Sequence, residues 1–396
     1  MAELNIVYNK HKGEKTPDVT ACFDEKQAQK VMGFHRTFDS YSVTPLVCLA
    51  DTAKELGAGN IFIKDESYRF GLNAFKGLGG SFCLGSYISA LYGSETLLDY
   101  KALVSPQVKN KVGDVTFVTA TDGNHGRGVA WTASKLGQKS VVYMPKGSAA
   151  ERLENIRKAG AVAEITDLNY DDTVRFARSQ AEKNGWILVQ DTTLPDYTDI
   201  PLLIMQGYMT MAAEAVEQLG DKKPTHLFLQ AGVGSMAGAV AAYMRNVYGE
   251  DLKIIVVEPD KADCVYRTAK ADDGQLKIVT GDMDTIMAGL ACGEVCETGW
   301  EILHCTADAF VSMEDCVAAT AMRILAAPAG SDCRVTSGES GAASFGAAAE
   351  ILAHHSDIKQ QLGMDENSVV LCFSTEGATD VENYRNIVWN GAFAHN

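Results

Sequence analysis

Lys76 is the first residue that calls for a chemical explanation. In the segment KDESYRFGLNAFKGLGGSF (64–82) it is flanked by Phe75, Leu78 and Phe82, whereas most lysines keep their ammonium in water. Gly77, Gly79 and Gly80 follow it. They weaken a helix with no evident packing gain, so a second body is expected to come close to this backbone. A desolvated amine is a nucleophile able to form a Schiff base with a carbonyl.

A phosphate site is readable further on. In HLFLQAGVGSMAGAVAAYM (226–244) an apolar run ends at Ala231, and Gly232, Gly234 and Gly238 open a helical pattern. Glycines let the backbone N–H groups close on an anion, and the helix adds the positive end of its dipole. The plainer reading is a tight strand-to-helix turn. The third glycine comes one residue late for G-x-G-x-x-G. Glu258, 24 residues after Gly234, ends the next strand where a ribose-binding acid belongs, so a nicotinamide oxidoreductase stays open. No Gly-Lys-Ser/Thr ending is present, which disfavours a nucleoside triphosphatase. A Schiff-base lysine together with a phosphate cradle points to pyridoxal phosphate.

A second turn, TATDGNHGRGVAW (119–131), hands a strand over to a helix through Thr121, Asp122, Gly123, Asn124 and His125. Its N–H groups and Thr121 could hold a carboxylate, or the turn could simply cap the helix. Asp191 closes the strand WILVQ at a carboxyl edge. It could steady a substrate ammonium or assist a proton transfer, or cap the segment TTLPDY. Cys292, Cys296, His304 and Cys305 fit no standard zinc spacing, and no metal is expected.

These residues need a scaffold, and its pattern is clear. Runs such as NIFIK (60–64), VTFVTA (115–120), SVVYMP (140–145), WILVQD (186–191), HLFLQA (226–231), KIIVVEP (253–259) and SVVLCFST (368–375) alternate with helical stretches. Continuous β-branched runs between helices imply parallel sheets buried on both faces, hence a doubly wound α/β fold. With 396 residues, two lobes are expected, with the site between them. The net charge of −16 disfavours nucleic-acid and anionic-membrane partners. The start MAELNIVYNK has no signal-peptide pattern. The uncharged stretch 224–244 reads as strand, turn and helix rather than a membrane span. Ten scattered cysteines suit reduced thiols of the cytoplasm. Cys264 and Cys292, each in a motif-like segment, are expected to lie near each other and to be able to form a disulfide.

Thr44-Pro45-Leu46, IFIKDES, NAFK, TDGNHG, AGVGSMAG and FSTEG occur in one order along nearly the whole chain. That order resembles the fold-type II pyridoxal-phosphate enzymes, the tryptophan synthase β-subunit and threonine dehydratase family. Within it, FGLNAFK, TDGNHGRGVAW, YMPKGSA, NYDDTVR, VEPDKADC, IMAGLACGE and STEG are most similar to the diaminopropionate ammonia-lyase branch.

The resemblance implies that Lys76 carries pyridoxal 5'-phosphate and then moves the substrate Cα proton. It implies that Asn124 bonds the cofactor's phenolic oxygen and that Gly232, Val233, Gly234, Ser235, Met236 and Ala237 hold the phosphate. Ser374 would stand beside the pyridine nitrogen as a neutral hydroxyl. Thr121, Asp122, Gly123, His125 and Asp191 would line the substrate. Asp122 departs from the small residue that many relatives carry there, and a carboxylate suits a substrate with a second amine. It could also remove the proton of the opposite enantiomer. The implied reaction is α,β-elimination of D- and L-2,3-diaminopropionate to pyruvate and two ammonia. A serine/threonine dehydratase is the nearest alternative, and a non-catalytic ligand-binding protein a more distant one. The implied domains are 1–80 with 206–396, binding the cofactor, and a smaller 81–205. A homodimer is expected.

Overall fold

The computed structural model describes residues 2–14, 18–121, 123–193 and 196–394. Its strands are β1 (Leu4–Tyr8), β2 (Leu46–Cys48), β3 (Asn60–Asp65), β4 (Thr116–Ala120), β5 (Lys139–Met144), β6 (Val162–Ile165), β7 (Ile187–Leu188), β8 (His226–Gln230), β9 (Lys253–Pro259), β10 (Ala309–Met313) and β11 (Val369–Ser374). The seven apolar runs singled out in the sequence are β3, β4, β5, β7, β8, β9 and β11. β7 is trimmed to two residues. The stretch 224–244 forms β8, a glycine turn and the start of a helix (Ser235–Tyr248).

The chain folds into two compact units. One comprises Met1–Glu25, Val43–Tyr68 and Met211–Asn396. Its sheet has the order β1-β10-β9-β8-β11-β3-β2. Strands β10, β9, β8, β11 and β3 are parallel, and the edge strands β1 and β2 run antiparallel to their neighbours. Ile61, Ile63, Phe228, Ile255 and Val257 share one core with Ala342, Ala343 and Phe345 of the helix Glu339–His354. Beneath this lies a polar knot around the fully buried Lys64 and Glu214. Lys64 Nζ donates to Glu214 Oε2 (2.7 Å), Gln218 Oε1 (2.7 Å) and the Thr44 carbonyl (2.8 Å). All the donors of a buried ammonium are thereby used, which such a group requires.

The other unit comprises Lys26–Ser42 and Arg69–Thr210, around the parallel sheet β6-β5-β4-β7. Alternate residues of β5 face opposite layers. Tyr143 packs with Val174, Ala177 and Ala181 of the helix Tyr170–Asn184. Val142 and Met144 pack with Ala130 and Ile156 of two other helices. This is the double-sided burial that the β-branched runs imply.

The boundaries differ from the sequence expectation of 81–205. The smaller unit takes in residues 69–80 and 206–210, and also 26–42. The reason is packing. Phe34 and His35, on the helix Glu25–His35, pack their rings against Phe82 of the helix Gly77–Tyr92. His35 also bonds the Leu78 carbonyl and Thr210. No apolar pattern marks such a long-range return of the chain.

Candidate active site

Lys76 immediately precedes the helix Gly77–Tyr92. The loop leading to it holds two non-glycine residues in left-handed conformations, Phe70 (φ 52°) and Asn73 (φ 55°). Such strain persists only where the surroundings over-determine it. Here Phe70 is buried and stacked on Trp131 at 4.8 Å. Arg127 Nη1 bonds the Leu72 carbonyl at 2.9 Å. Trp131 and Arg127 both lie on the helix Asn124–Lys135.

The glycines around Lys76 have a packing reason that the sequence reading missed. A Cβ on Gly79 would lie 2.7 Å from Tyr208 Cε1 and 2.8 Å from Ile204 Cγ2. A Cβ on Gly80 would lie 3.2 Å from the Gly128 backbone, and one on Gly128 would lie 2.9 Å from the Lys76 carbonyl. The bodies that come close are the unit's own helices. They clamp the lysine's backbone and leave its amine to be positioned by side chains.

Lys76 Nζ lies 2.5 Å from Asp191 Oδ2, and the rings of Phe75 and Tyr208 face the same amine at 5.4 and 5.8 Å. Asp191 follows β7 and is buried, 5% exposed. Residues absent from the sequence list fix it there. Gln190 Oε1 accepts from Thr119 Oγ1 and from the Ala120 N–H. The Tyr197 hydroxyl accepts from the Gln190 N–H and donates to the Leu188 carbonyl. Burial raises the Asp191 carboxyl, but the charges of His125 and Lys76 more than cancel it and hold Asp191 far below the usual carboxylate range. His125 is itself pushed down by burial and is neutral near pH 7, so the lasting counter-charge is Lys76. Its Nε2 donates to the Val189 carbonyl (2.9 Å), which fixes the tautomer. Its Nδ1 has no hydrogen-bond partner among the described residues and stands 3.7 Å from Asp191.

The asparagine turn lies beside this pair in sequence and fold. Asn124 begins the helix Asn124–Lys135. Thr121 is buried, and its Oγ1 accepts from the Gly123 N–H (3.0 Å), which closes a hydroxyl turn. Asp122 lies outside the described residues. The structure thus brings Lys76, Asp191 and His125 together directly. Neither periodicity nor a motif links position 76 to position 191; the pairing of β4 with β7 sets Asp191 beside the turn after β4, and the close contact of Gly128 with the Lys76 backbone brings the lysine to the same place.

In the other unit, Gly234 (φ 94°) turns the chain from β8 into the helix Ser235–Tyr248. A Cβ on Gly299 would lie 2.9 Å from the Gly234 carbonyl, so a neighbouring helix (Glu297–Thr306) supports the turn closely. The Cys296 N–H donates to the Val233 carbonyl at 2.7 Å. Ser374 ends β11, the strand next to β8, and its Oγ donates to Ser337 Oγ at 2.8 Å. Gln230 Nε2 joins the two strand ends by bonding the Phe373 carbonyl and Thr375. The turn at 232–237 and Ser374 therefore share one carboxyl edge, where ligands of open α/β sheets bind.

One sequence reading is revised here. Glu258 does not offer its carboxylate to a ribose. It is buried, and it accepts from the Val265 and Tyr266 N–H groups at 3.0 and 2.6 Å, at the start of the helix Cys264–Ala271. The acid is used as a helix cap, and the nicotinamide reading loses its second support. Cys264 and Cys292 lie near each other as expected, both against Gly232, and stand there as thiols.

The family model for pyridoxal-phosphate dependent enzymes matches residues 37–375. The chain belongs to this family. Pyridoxal phosphate is therefore its cofactor, and the residues present fit it. They offer an amine at Lys76, a turn in which a Cβ on Gly232 would meet Cys292 Sγ at 3.2 Å, and a neutral hydroxyl at Ser374. The chain is 53% identical to a diaminopropionate ammonia-lyase of Salmonella typhimurium over 92% of each chain. It is 48% identical to one of Escherichia coli over 99% of this chain and 98% of that one. It is similar to the holo structure of the E. coli diaminopropionate ammonia-lyase, with a TM-score of 0.92 and 46% identity, covering 99% and 98% of the two chains. A tomato threonine deaminase, at 20% identity and a TM-score of 0.73, shares the fold. No described helix is long and apolar enough to cross a membrane.

Proposed function

We propose that this pyridoxal-phosphate enzyme eliminates ammonia from D- and L-2,3-diaminopropionate. With one water, the products are pyruvate and two ammonia. The observation that carries the reading is the ion pair of half-buried Lys76 with buried Asp191 in a chain 48–53% identical to diaminopropionate ammonia-lyases. Pyridoxal phosphate, when bound, supplies the conjugated acceptor that makes the substrate Cα–H acidic.

The chain's own residues do the rest. Lys76 holds the cofactor and, once released, takes the Cα proton on its face. Asp191 keeps the lysine's charge in place and stands ready for the substrate's β-ammonium. Asp122 takes the proton of the other enantiomer. Thr121, Gly123 and His125 line the substrate, and Asn124 bonds the cofactor's phenolic oxygen. The N–H groups of Gly232, Val233, Gly234, Ser235, Met236 and Ala237 bind its phosphate. Ser374, a hydroxyl rather than a carboxylate, leaves the ring nitrogen largely unprotonated and favours elimination over transamination. The larger unit thus supplies the cofactor-binding turn. The enzyme works as a homodimer in the cytoplasm, a setting in which ten reduced cysteines persist.

The deciding assay is pyruvate release from D- and L-2,3-diaminopropionate beside serine and threonine. Faster release from both diaminopropionate isomers is expected. Preference for serine or threonine overturns the substrate and makes the chain a dehydratase. Lys76→Ala should lose turnover and the visible band of the lysine-bound cofactor while staying folded.

A further inference from the structure

Tyr208 sits against the amine of Lys76. It is completely buried. Its ring packs on Phe75 (4.7 Å between centroids) and faces Lys76 Nζ. Gly79 leaves the space that the ring fills, since any Cβ there would lie within 3 Å of Tyr208 Cε1 and Cζ. The hydroxyl has no hydrogen bond of ordinary geometry among the described residues, and the polar side chain that approaches it is the Lys76 amine. A buried hydroxyl without a partner is costly, and one in a native core calls for a reason.

The reason follows from what Lys76 must do. At Asp191 the amine is held as an ammonium, because a neighbouring carboxylate favours the charged form. An ammonium has no lone pair. To accept a proton or attack an aldehyde the amine must be neutral, and a neutral amine gains less from a carboxylate than an ammonium does. It needs a second seat, one that takes an N–H without demanding a charge. A phenol oxygen is such an acceptor. Burial pushes the Tyr208 hydroxyl up, so it stays un-ionised. The titratable groups facing it are Lys76, Asp191 and Cys83. The Cys83 thiol is likewise pushed up by burial and stays neutral.

We propose that Tyr208 is a positioning residue for Lys76: its phenol oxygen takes an N–H of the amine when the amine leaves Asp191, and so aims the lone pair at the reacting atom. The inference rests on the reading of Lys76 given above.

Tyr208→Phe removes the oxygen and keeps the ring. One readout is independent of turnover. The full-length chain is freed of cofactor, pyridoxal phosphate is added back, and the growth of the visible band is followed against pH. At high pH, where the amine is neutral, the limiting rate reports its aim alone. That plateau should fall about tenfold, the equivalent of about 1.4 kcal/mol in the barrier. In the holoenzyme kcat should fall by a similar factor, with KM within about twofold. Melting temperature should hold or rise, because an unpartnered hydroxyl is gone. A plateau and kcat within about twofold of the parent overturn the proposal. So does a lowered melting temperature with an unchanged plateau, which makes the hydroxyl structural. If the parent chain does not turn over diaminopropionate, the functional reading fails while the linkage plateau still decides this one.

Discussion

Gly128→Ala tests whether backbone contact, rather than side chains alone, places Lys76. The new Cβ would stand 2.9 Å from both the carbonyl carbon and oxygen of Lys76, and 3.0 Å from the Gly77 nitrogen, where ordinary contact begins at 3.4 Å. All three are backbone atoms and cannot rotate away. The helices Gly77–Tyr92 and Asn124–Lys135 must therefore separate by about half an ångström. Overpacking of this kind costs about 1–3 kcal/mol, and alanine's better helix propensity returns about 1 kcal/mol. A small net loss of stability is expected. The effect on chemistry is larger, because a misplacement of about 1 Å can cost about 10²-fold. Half that shift at the lysine predicts a drop of about tenfold in kcat/KM for diaminopropionate. Gly33→Ala is the control: it lies on the helix Glu25–His35 with nothing within 4 Å of its Cβ position. It should gain about 0.5–1 kcal/mol and leave kcat/KM unchanged. Steady-state kinetics and thermal unfolding of the two variants decide the matter. If Gly128→Ala is as active as the parent and stabilised like Gly33→Ala, the helix contact does not position Lys76.

Further outcomes are expected. Lys64→Met strands the Glu214 carboxylate in a fully buried site and should cost about 3–5 kcal/mol. Lys64→Met with Glu214→Leu should recover much of this in thermal unfolding, and a double variant as unstable as the single one would refute the account. Burial pushes both His226 and His125 down, so the unfolded chain binds protons that the folded chain refuses. The associated stability is present above the unfolded value of about 6.5 and is lost as pH falls toward the depressed folded values. Melting temperature should drop between pH 7.5 and 5.5. His226→Gln, which keeps a donor for the Leu362 carbonyl, should make that drop shallower. Asp122→Asn should lower turnover of D-diaminopropionate by at least about 10²-fold and of the L-isomer much less. Equal losses would leave Asp122 a binding role only.

Much of this protein was legible in its sequence because the signals are local. Continuous β-branched runs such as KIIVVEP bury both faces of a strand whatever surrounds them, so the parallel sheets followed from pattern alone. The turn at Gly232–Gly238 carries its own geometry, since a strand must hand over to a helix there. Tertiary structure decided what depends on distant partners. Residues 26–42 join the smaller unit through contacts with residues distant in sequence, the rings of Phe34 and His35 on Phe82, Phe38 on Trp131 and the hydrogen bonds of His35 to Leu78 and Thr210. The glycines after Lys76 read in sequence as room for a second body, and Tyr208, Ile204 and Gly128 fill that room. Glu258 matched the spacing of a ribose acid, but a carboxylate's function is set by the donors that reach it, and two helix N–H groups reach this one first. Asp191 could equally have capped a segment. Its link to Lys76, 115 residues away in sequence, exists because β4 pairs with β7 and the helix after Lys76 packs on the helix after β4. Sequence spacing fixes neighbours along one element, whereas an ion pair between elements is set by how the chain closes on itself.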